Sequence, residues 1–442
     1  MKFLFFYSLI IKIFIHSKII IPVKYKINDS YEKSNITSIF NSYNRGYLQS
    51  EIEVGSNKIP IKFKLTFDSF SLIILNSSIN NIPIKYNINE SKTSQMFTYK
   101  FRFKNEPISE GHLATDIFYL NYTNKTNQNL EQRLRFFLYP RNLDKIVNEG
   151  IMGIGVDNVR MYPYIGYNLI NNLNEERIIN EYVIYFSEND KLFIGEYPEI
   201  SEPDKFISGK RVDIICSNFN NSRHTYYLFI NDIISNNIFI DSEKFLLFNL
   251  SNFFMEGTEL YRDYIKKYFF DKYINNTKNK CYYETDILLG DFFYCDKDVN
   301  ISGIPSLIFQ INGTDYNITL DYSDLFALIE DKLFFIIYFR EHNEIWKFGY
   351  YNIKKLNIAF NQKKKTISFS KKKNKQPKDN NDGGDGHMLI IFIIIIILLV
   401  LFALIIISIY FYKKNYGKSG KKDELIGIKE NIELINYKYI ES

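Results

Sequence analysis

The chain has 442 residues and a formal net charge of +5, from 55 Lys and Arg against 50 Asp and Glu. That near balance excludes a strongly basic nucleic-acid binder, and only three cysteines exclude a disulfide-framework fold. With 46% apolar residues the chain is long enough to pack a core, and to divide it between two lobes.

The N-terminus reads as a secretory signal over residues 1–17. Met1-Lys2 supplies a charge, Phe3 to Ile15 is apolar apart from Tyr7, Ser8 and Lys12, and His16-Ser17 precedes a cleavage point. Lys12 inside the apolar run leaves an uncleaved anchor as the alternative. From residue 18 onward, short runs rich in Ile, Phe and Tyr are broken by Asn, Asp, Ser and Gly clusters, which predicts strands. Ile59 to Asp68 alternates apolar with polar as a half-buried strand does. Glu259 to Phe270 is a brief helical stretch, and Ile304 to Ile318 reads as a hairpin with Asn312-Gly313 at its turn. The fold class is therefore all-β. The lysine-rich run 363–375 is expected to be a solvated stalk rather than a nucleic-acid site.

Gly383-Gly384-Asp385-Gly386 makes a flexible linker, and Met388 to Tyr412 follows without a charged side chain. At about 1.5 Å per residue, 20 such residues cross the ~30 Å hydrocarbon layer. Lys413, Lys414, Lys418, Lys421 and Lys422 follow the span, while Asp379, Asp382 and Asp385 precede it. That asymmetry puts the C-terminus in the cytoplasm. The expected organisation is type I: a lumenal or extracellular part, a stalk over 371–387, a transmembrane helix over 388–412 and a tail over 413–442. The compartment is then the cell surface or the endomembrane and lysosomal system.

An oxidising lumen permits one disulfide, for which Cys281–Cys295 is the expected pair, with Cys216 left over. Sequons at Asn76, Asn121, Asn300 and Asn317 suit a glycoprotein, although a chain this rich in Asn forms sequons by chance. The five histidines are scattered without metal-ligand spacing, so neither a metal nor a cofactor is expected. Cys216 as a nucleophile competes with the commoner fate of a buried free cysteine.

Gly46 to Leu75 (GYLQSEIEVGSNKIPIKFKLTFDSFSLIIL) resembles the N-terminal signature of pepsin-like aspartic proteases. There a strand ending in I-G-x-P precedes a second, vifD-T-G-S-S-x-LWV, that carries the first catalytic aspartate. Val54-Gly55 matches the first landmark, and Asp68-Ser69-Phe70-Ser71 falls where D-T-G-S belongs. Four further landmarks follow in order. Gly150 to Gly155 (GIMGIG), with Gly153 and Gly155, resembles the segment crossing beneath the first aspartate. Lys191 to Glu196 resembles the strand closing the first lobe. Cys295 with Ile304 to Phe309 resembles the C…lP-x-l-x-F run, and Trp346 to Gly349 with Tyr351 to Phe369 resembles the last strands. The resemblance implies a bilobal β-protein over residues 18–370, with lobes of about 46–200 and 201–370. A cleft holding an extended peptide, and a monomer, go with it.

The family's chemistry needs two carboxylates sharing one proton, one activating water and the other protonating the scissile carbonyl. The resemblance gives Asp68 the first dyad position and Asn249 the second. An amide does not titrate in the working range, so Asn249 cannot alternate as acid and base. Asp241 is the nearest substitute acid. The loop glycine of the family is Phe70 in one half and Ser251 in the other. The partner threonine is Ser69 and Leu250. The flap tip is replaced near Tyr99 and Phe103. Two readings result: a catalytically impaired homologue with a peptide-binding cleft, or an active endopeptidase using Asp68 with an acid such as Asp241.

Overall fold

Alternation of buried and exposed side chains builds most of the chain into strands, as in Tyr47–Val54 and Ile59–Thr66, where Ile61, Phe63 and Leu65 are all buried. The computed structural model describes residues 18–29, 35–67, 71–75, 86–102, 110–121, 129–139, 150–155, 168–216, 225–274, 280–287 and 290–373. All lie in a unit ending at Lys373. The expected signal segment, the span Met388–Tyr412 and the tail lie outside the described residues. Among the described residues, no helix is long and apolar enough to cross a membrane.

Three sheets make the architecture, which is mostly β. An eight-stranded sheet uses strands between Lys24 and Gly153, and an eleven-stranded sheet uses strands between Tyr227 and Phe348. A six-stranded sheet joins the two halves. Ile19–Pro22, Lys191–Ile194 and Val183–Ser187 come from the first half, while Ile358–Asn361, Thr366–Lys372 and Phe206–Ile215 come from the second. The halves meet where Val183, Ile184 and Tyr185 lie opposite Asn361, Phe360 and Ala359.

One expectation changes here. The lysine-rich run 363–375 is not a stalk throughout. Lys363–Lys365 forms a turn, and Thr366–Lys372 is a strand whose Ile367 and Phe369 are buried. Residues before 46 also belong to the fold: Ile19–Pro22 and Lys24–Lys26 are strands, and Ile36–Asn44 is a helix. Asn35 caps that helix by accepting from the Ser38 N–H, and Ile36, Ile39, Phe40 and Tyr43 recur on one face. Phe40 is 1% exposed, with its ring 4.1 Å from Phe292 and 4.7 Å from Phe254, both in the second half. The Asn44 Oδ1 accepts from the Phe254 N–H at 3.2 Å. The helix thus ties the start of the chain to the second half.

Cys281 and Cys295 lie directly opposite on neighbouring antiparallel strands and are bonded. Cys216 is free, and burial pushes its thiol up to about 12, so it is a thiol rather than a nucleophilic thiolate near neutral pH. On the six-stranded sheet Arg211 bonds Asp213 at 2.7 Å and Glu199 at 2.5 Å, with its guanidinium 3.5 Å from the Tyr197 ring centre. Burial alone would raise the Asp213 carboxyl. The Arg211 and Ser368 hydrogen bonds outweigh that and hold it below its ordinary value.

Phe40→Ala should cost about 3–5 kcal/mol of stability, read from urea denaturation, because the site is closed on all sides. A carboxylate whose folded pKa is depressed stabilises above its unfolded value and loses that contribution as pH falls through the folded one. Stability should therefore fall as pH drops below about 4. Arg211→Gln should make that decline shallower in denaturation midpoints recorded against pH.

Candidate functional site

The same strand arrangement occurs once in each half. In the first, Ile59–Thr66 leads through a loop to Leu72–Leu75, and Gly150–Gly153 is threaded between them. It runs parallel to the first of these strands and antiparallel to the second. In the second half, Ile238–Phe248 leads to Met255–Gly257, with Ile345–Phe348 threaded in the same two senses. Phe63, Lys64 and Leu65 face Gly150, Ile151 and Met152. Their counterparts Leu246, Leu247 and Phe248 face Trp346, Lys347 and Phe348. On the other side Ile73 faces Ile151, as Glu256 faces Lys347.

These pairs superpose in one way that gives the two loops equal length, and it also brings Gly153 onto Gly349. One residue further along, Thr66 faces Gly153, and the Asn249 N–H donates to the Phe348 carbonyl at 2.9 Å. Thr66 therefore corresponds to Asn249, Phe67 to Leu250 and Asp68 to Ser251. Spacing in the sequence carries the same signal. With Thr66 in the aspartate's place, Leu72-Ile73-Ile74 falls on the L-W-V of the family pattern. With Asp68 there, Ile74-Leu75-Asn76 falls on it instead.

Asp68 itself, with Ser69 and Phe70, lies outside the described residues, as does Phe103. Tyr99 lies in strand Gln95–Arg102, which pairs with Glu110–Asn121 as a hairpin. Asn249 is half-buried, and its side-chain oxygen accepts from the Ser251 N–H at 2.8 Å. Asp241 is buried opposite Ile233, accepting from the Ser242 N–H at 2.9 Å, with Lys244 3.7 Å away. It stands roughly 25 Å from Asn249 along the strand at the usual rise per residue. The structure does not bring those two together.

The two loops converge on one ring. Phe67 is 4.8 Å from Phe360 and 5.2 Å from Tyr226, while Phe248, the residue before Asn249, is 5.5 Å from Phe360. Phe67 and Leu250 are both fully buried. At the two corresponding loop positions, Phe67 and Leu250, the side chains are apolar and packed into the core.

Polar support comes from behind the second loop, and nothing in the sequence reading pointed to it. The Asn252 amide donates to the Tyr338 hydroxyl at 2.8 Å, and Tyr338 donates to Glu256 at 2.8 Å. Lys347 reaches both Glu256 oxygens at 2.9 Å. Glu256 is 1% exposed, so the cation and hydroxyl supply what water would otherwise provide. Burial pushes the Tyr338 hydroxyl far above its ordinary value and keeps it a neutral donor. In the first half, buried Asp116 accepts from Tyr86 at 2.8 Å, Thr93 at 2.5 Å and the Ile117 N–H at 2.8 Å. Those bonds tie the hairpin base to the segment before it. Among the described residues no cluster of His, Cys, Asp and Glu could hold a metal ion.

No protein-family model matches the chain, and no curated protein matches it. Solved structures do match. Conglutin gamma, a basic 7S globulin from lupine seeds, aligns with a TM-score of 0.56 at 12% identity, over 80% of this chain and 94% of that one. Basic 7S globulin from soybean aligns with a TM-score of 0.56 at 11% identity, over 80% and 94%. Both are relatives with the pepsin-like aspartic-protease fold, so the likeness shows that fold for this chain.

The register is testable by titration. Two carboxyls held about 3 Å apart share a proton, and one of them titrates well above the ordinary carboxylate range. Thr66→Asp combined with Asn249→Asp should create such a group, visible by carboxyl-carbon NMR on aspartate-labelled protein. Asn249→Asp alone, with Asp68 retained, should not. A raised, coupled pair in the single variant would return the first position to Asp68.

Proposed function

We propose that this chain is a single-pass type I membrane protein whose extracytoplasmic part has the pepsin-like fold without its hydrolytic chemistry. Its cleft retains an extended peptide or protein segment uncut. The observation that supports this reading is the register: strand pairing makes Thr66 the counterpart of Asn249, and on this reading those two are the dyad positions. A hydroxyl and a carboxamide both donate and accept hydrogen bonds, yet neither takes up or releases a proton in the working range. Water at such a floor meets no general base, and a carbonyl meets no acid. The floor keeps the ability to bind a peptide backbone, which needs the same donors and acceptors.

Two further features support the reading. The two solved structures described above are globulins by name, not peptidases. The uncharged run Met388–Tyr412, with lysines after it and aspartates before it, supports the anchor and its direction. The cell surface or endomembrane system is then the site of action, with the fold presented as a monomer on its stalk.

The full chain, purified in detergent, should cleave no member of a mixed peptide library from about pH 3 to about pH 7, a range that brackets acid–base work by a carboxyl pair. Mass spectrometry of the mixture reads the outcome. Cleavage that disappears in Asp68→Ala would overturn the reading and restore an active endopeptidase built on Asp68 and a second acid.

A further inference from the structure

We propose that the hairpin Leu307–Leu320 is an N-glycosylated edge, carrying glycans at Asn312 and Asn317 that close the open side of the eleven-stranded sheet. The proposal rests on the extracytoplasmic placement above. Strand Asn317–Leu320 is the first in the order of that sheet and pairs on one side only, with Leu307–Ile311, among the described residues. Its other side offers a row of backbone N–H and C=O groups to any passing strand. Proteins ordinarily blunt such an edge with lysine, proline or a bulge. Asn-Ile-Thr-Leu contains neither lysine nor proline, and its pairing runs without a register shift.

What the strand does contain is a sequon aimed outward. Side chains alternate along a strand, so the asparagine and threonine of Asn317-Ile318-Thr319 share one face. That face is solvent: Asn317 and Thr319 are exposed, while Ile318 and Leu320 are buried. A second sequon, Asn312-Gly313-Thr314, sits at the hairpin tip, where Asn312 and Gly313 are exposed and Gly313 has φ +74°. The turn end of the hairpin is held by Tyr316 stacking on Phe369 at 4.9 Å, so both attachment points project from a fixed support. The sequon Asn249-Leu250-Ser251 offers the contrast. Leu250 is fully buried and the Asn249 oxygen is bonded within its loop, which leaves a glycan no room.

Two glycans beside one edge would sterically exclude a partner strand, doing the work that charge does elsewhere. The experiment is expression of the full chain in a eukaryotic secretory host, enzymatic deglycosylation in heavy-oxygen water and mass spectrometry of the 307–320 peptide. Asn312 and Asn317 should both appear as labelled aspartate. Other sequons occupied with these two bare would overturn the glycan assignment while leaving the topology intact, whereas all sequons bare would overturn both. Thr314→Ala with Thr319→Ala should then shift the detergent-solubilised chain from monomer toward larger species in analytical ultracentrifugation. Thr314→Ser with Thr319→Ser, which keeps both sequons, should stay monomeric. A monomeric alanine variant would overturn the shielding role.

Discussion

In the first half of this molecule one strand is pressed between two others at a separation that only a bare backbone allows, and in the second half the same closeness falls just past the corresponding strand, at Gly349. At Gly150 an added Cβ would lie 2.7 Å from the Ile73 carbonyl oxygen and 2.7 Å from the Phe63 ring. At Gly349 it would collide with the carbonyl oxygens of Phe253 and Phe254. The flanking segments are the ones that lead into and out of the Thr66 and Asn249 loops. Close approach therefore fixes the loops before any side chain at their tips is considered, and a methyl group at either glycine would force the strands apart.

That separation of tasks lets the fold stand whatever the residues at the loop tips are. A sheet threaded in this way packs apolar residues beneath the crossing and puts glycine where backbones come closest, at Gly150 in one half and Gly349 in the other. Phe67 and Leu250 occupy the corresponding loop positions, and Phe67 and Phe248 meet on Phe360, which belongs to the sheet shared by the two halves. Packing of this kind is non-directional and strong per unit area. It joins the loops to the core more cheaply than hydrogen bonds that must be fully satisfied once buried. The fold and the reaction make different demands on the same loop, and a fold alone does not carry an activity.

Much of this was legible in the residues. Alternation marked Ile59–Thr66, Asn312-Gly313 marked the hairpin, and a short helical stretch marked Glu259–Ile265. The resemblance put Asn249 at the second position, and in the structure a strand ends at Phe248 with a loop after it. The first loop was harder. Asp68 draws the eye as the acid nearest the expected place, while the register that favours Thr66 lies in the spacing to Leu72-Ile73-Ile74 and in the pairing with Gly150–Gly153. The strand Thr366–Lys372 gave two conflicting readings: the resemblance carried the last strands to Phe369, while the lysines around it suggested a stalk. Thr366 to Phe369 are buried on both faces, so the period of two vanishes into a run flanked by lysines. The helix Ile36–Asn44 had its cap and its apolar face in the sequence, but its partner surface is more than two hundred residues away in the chain.

The acids near the loops sharpen the chemical point. Glu256 follows Asn249 closely and is buried, as a catalytic acid might be, yet its two oxygens are bound by Lys347 and Tyr338. Drawing it toward a ligand would leave an ammonium and a hydroxyl unpaired behind the loop, at a cost of several kcal/mol. Asp116 is bound by three donors at the base of the hairpin, and freeing it would strand the Tyr86 hydroxyl in the core. An acid pair must hold one proton between two carboxyls that are free to exchange it with water and substrate. Carboxylates bound this fully into the framework serve the opposite purpose: Glu256 fixes the second loop and Asp116 the base of the hairpin, and neither is free for that exchange.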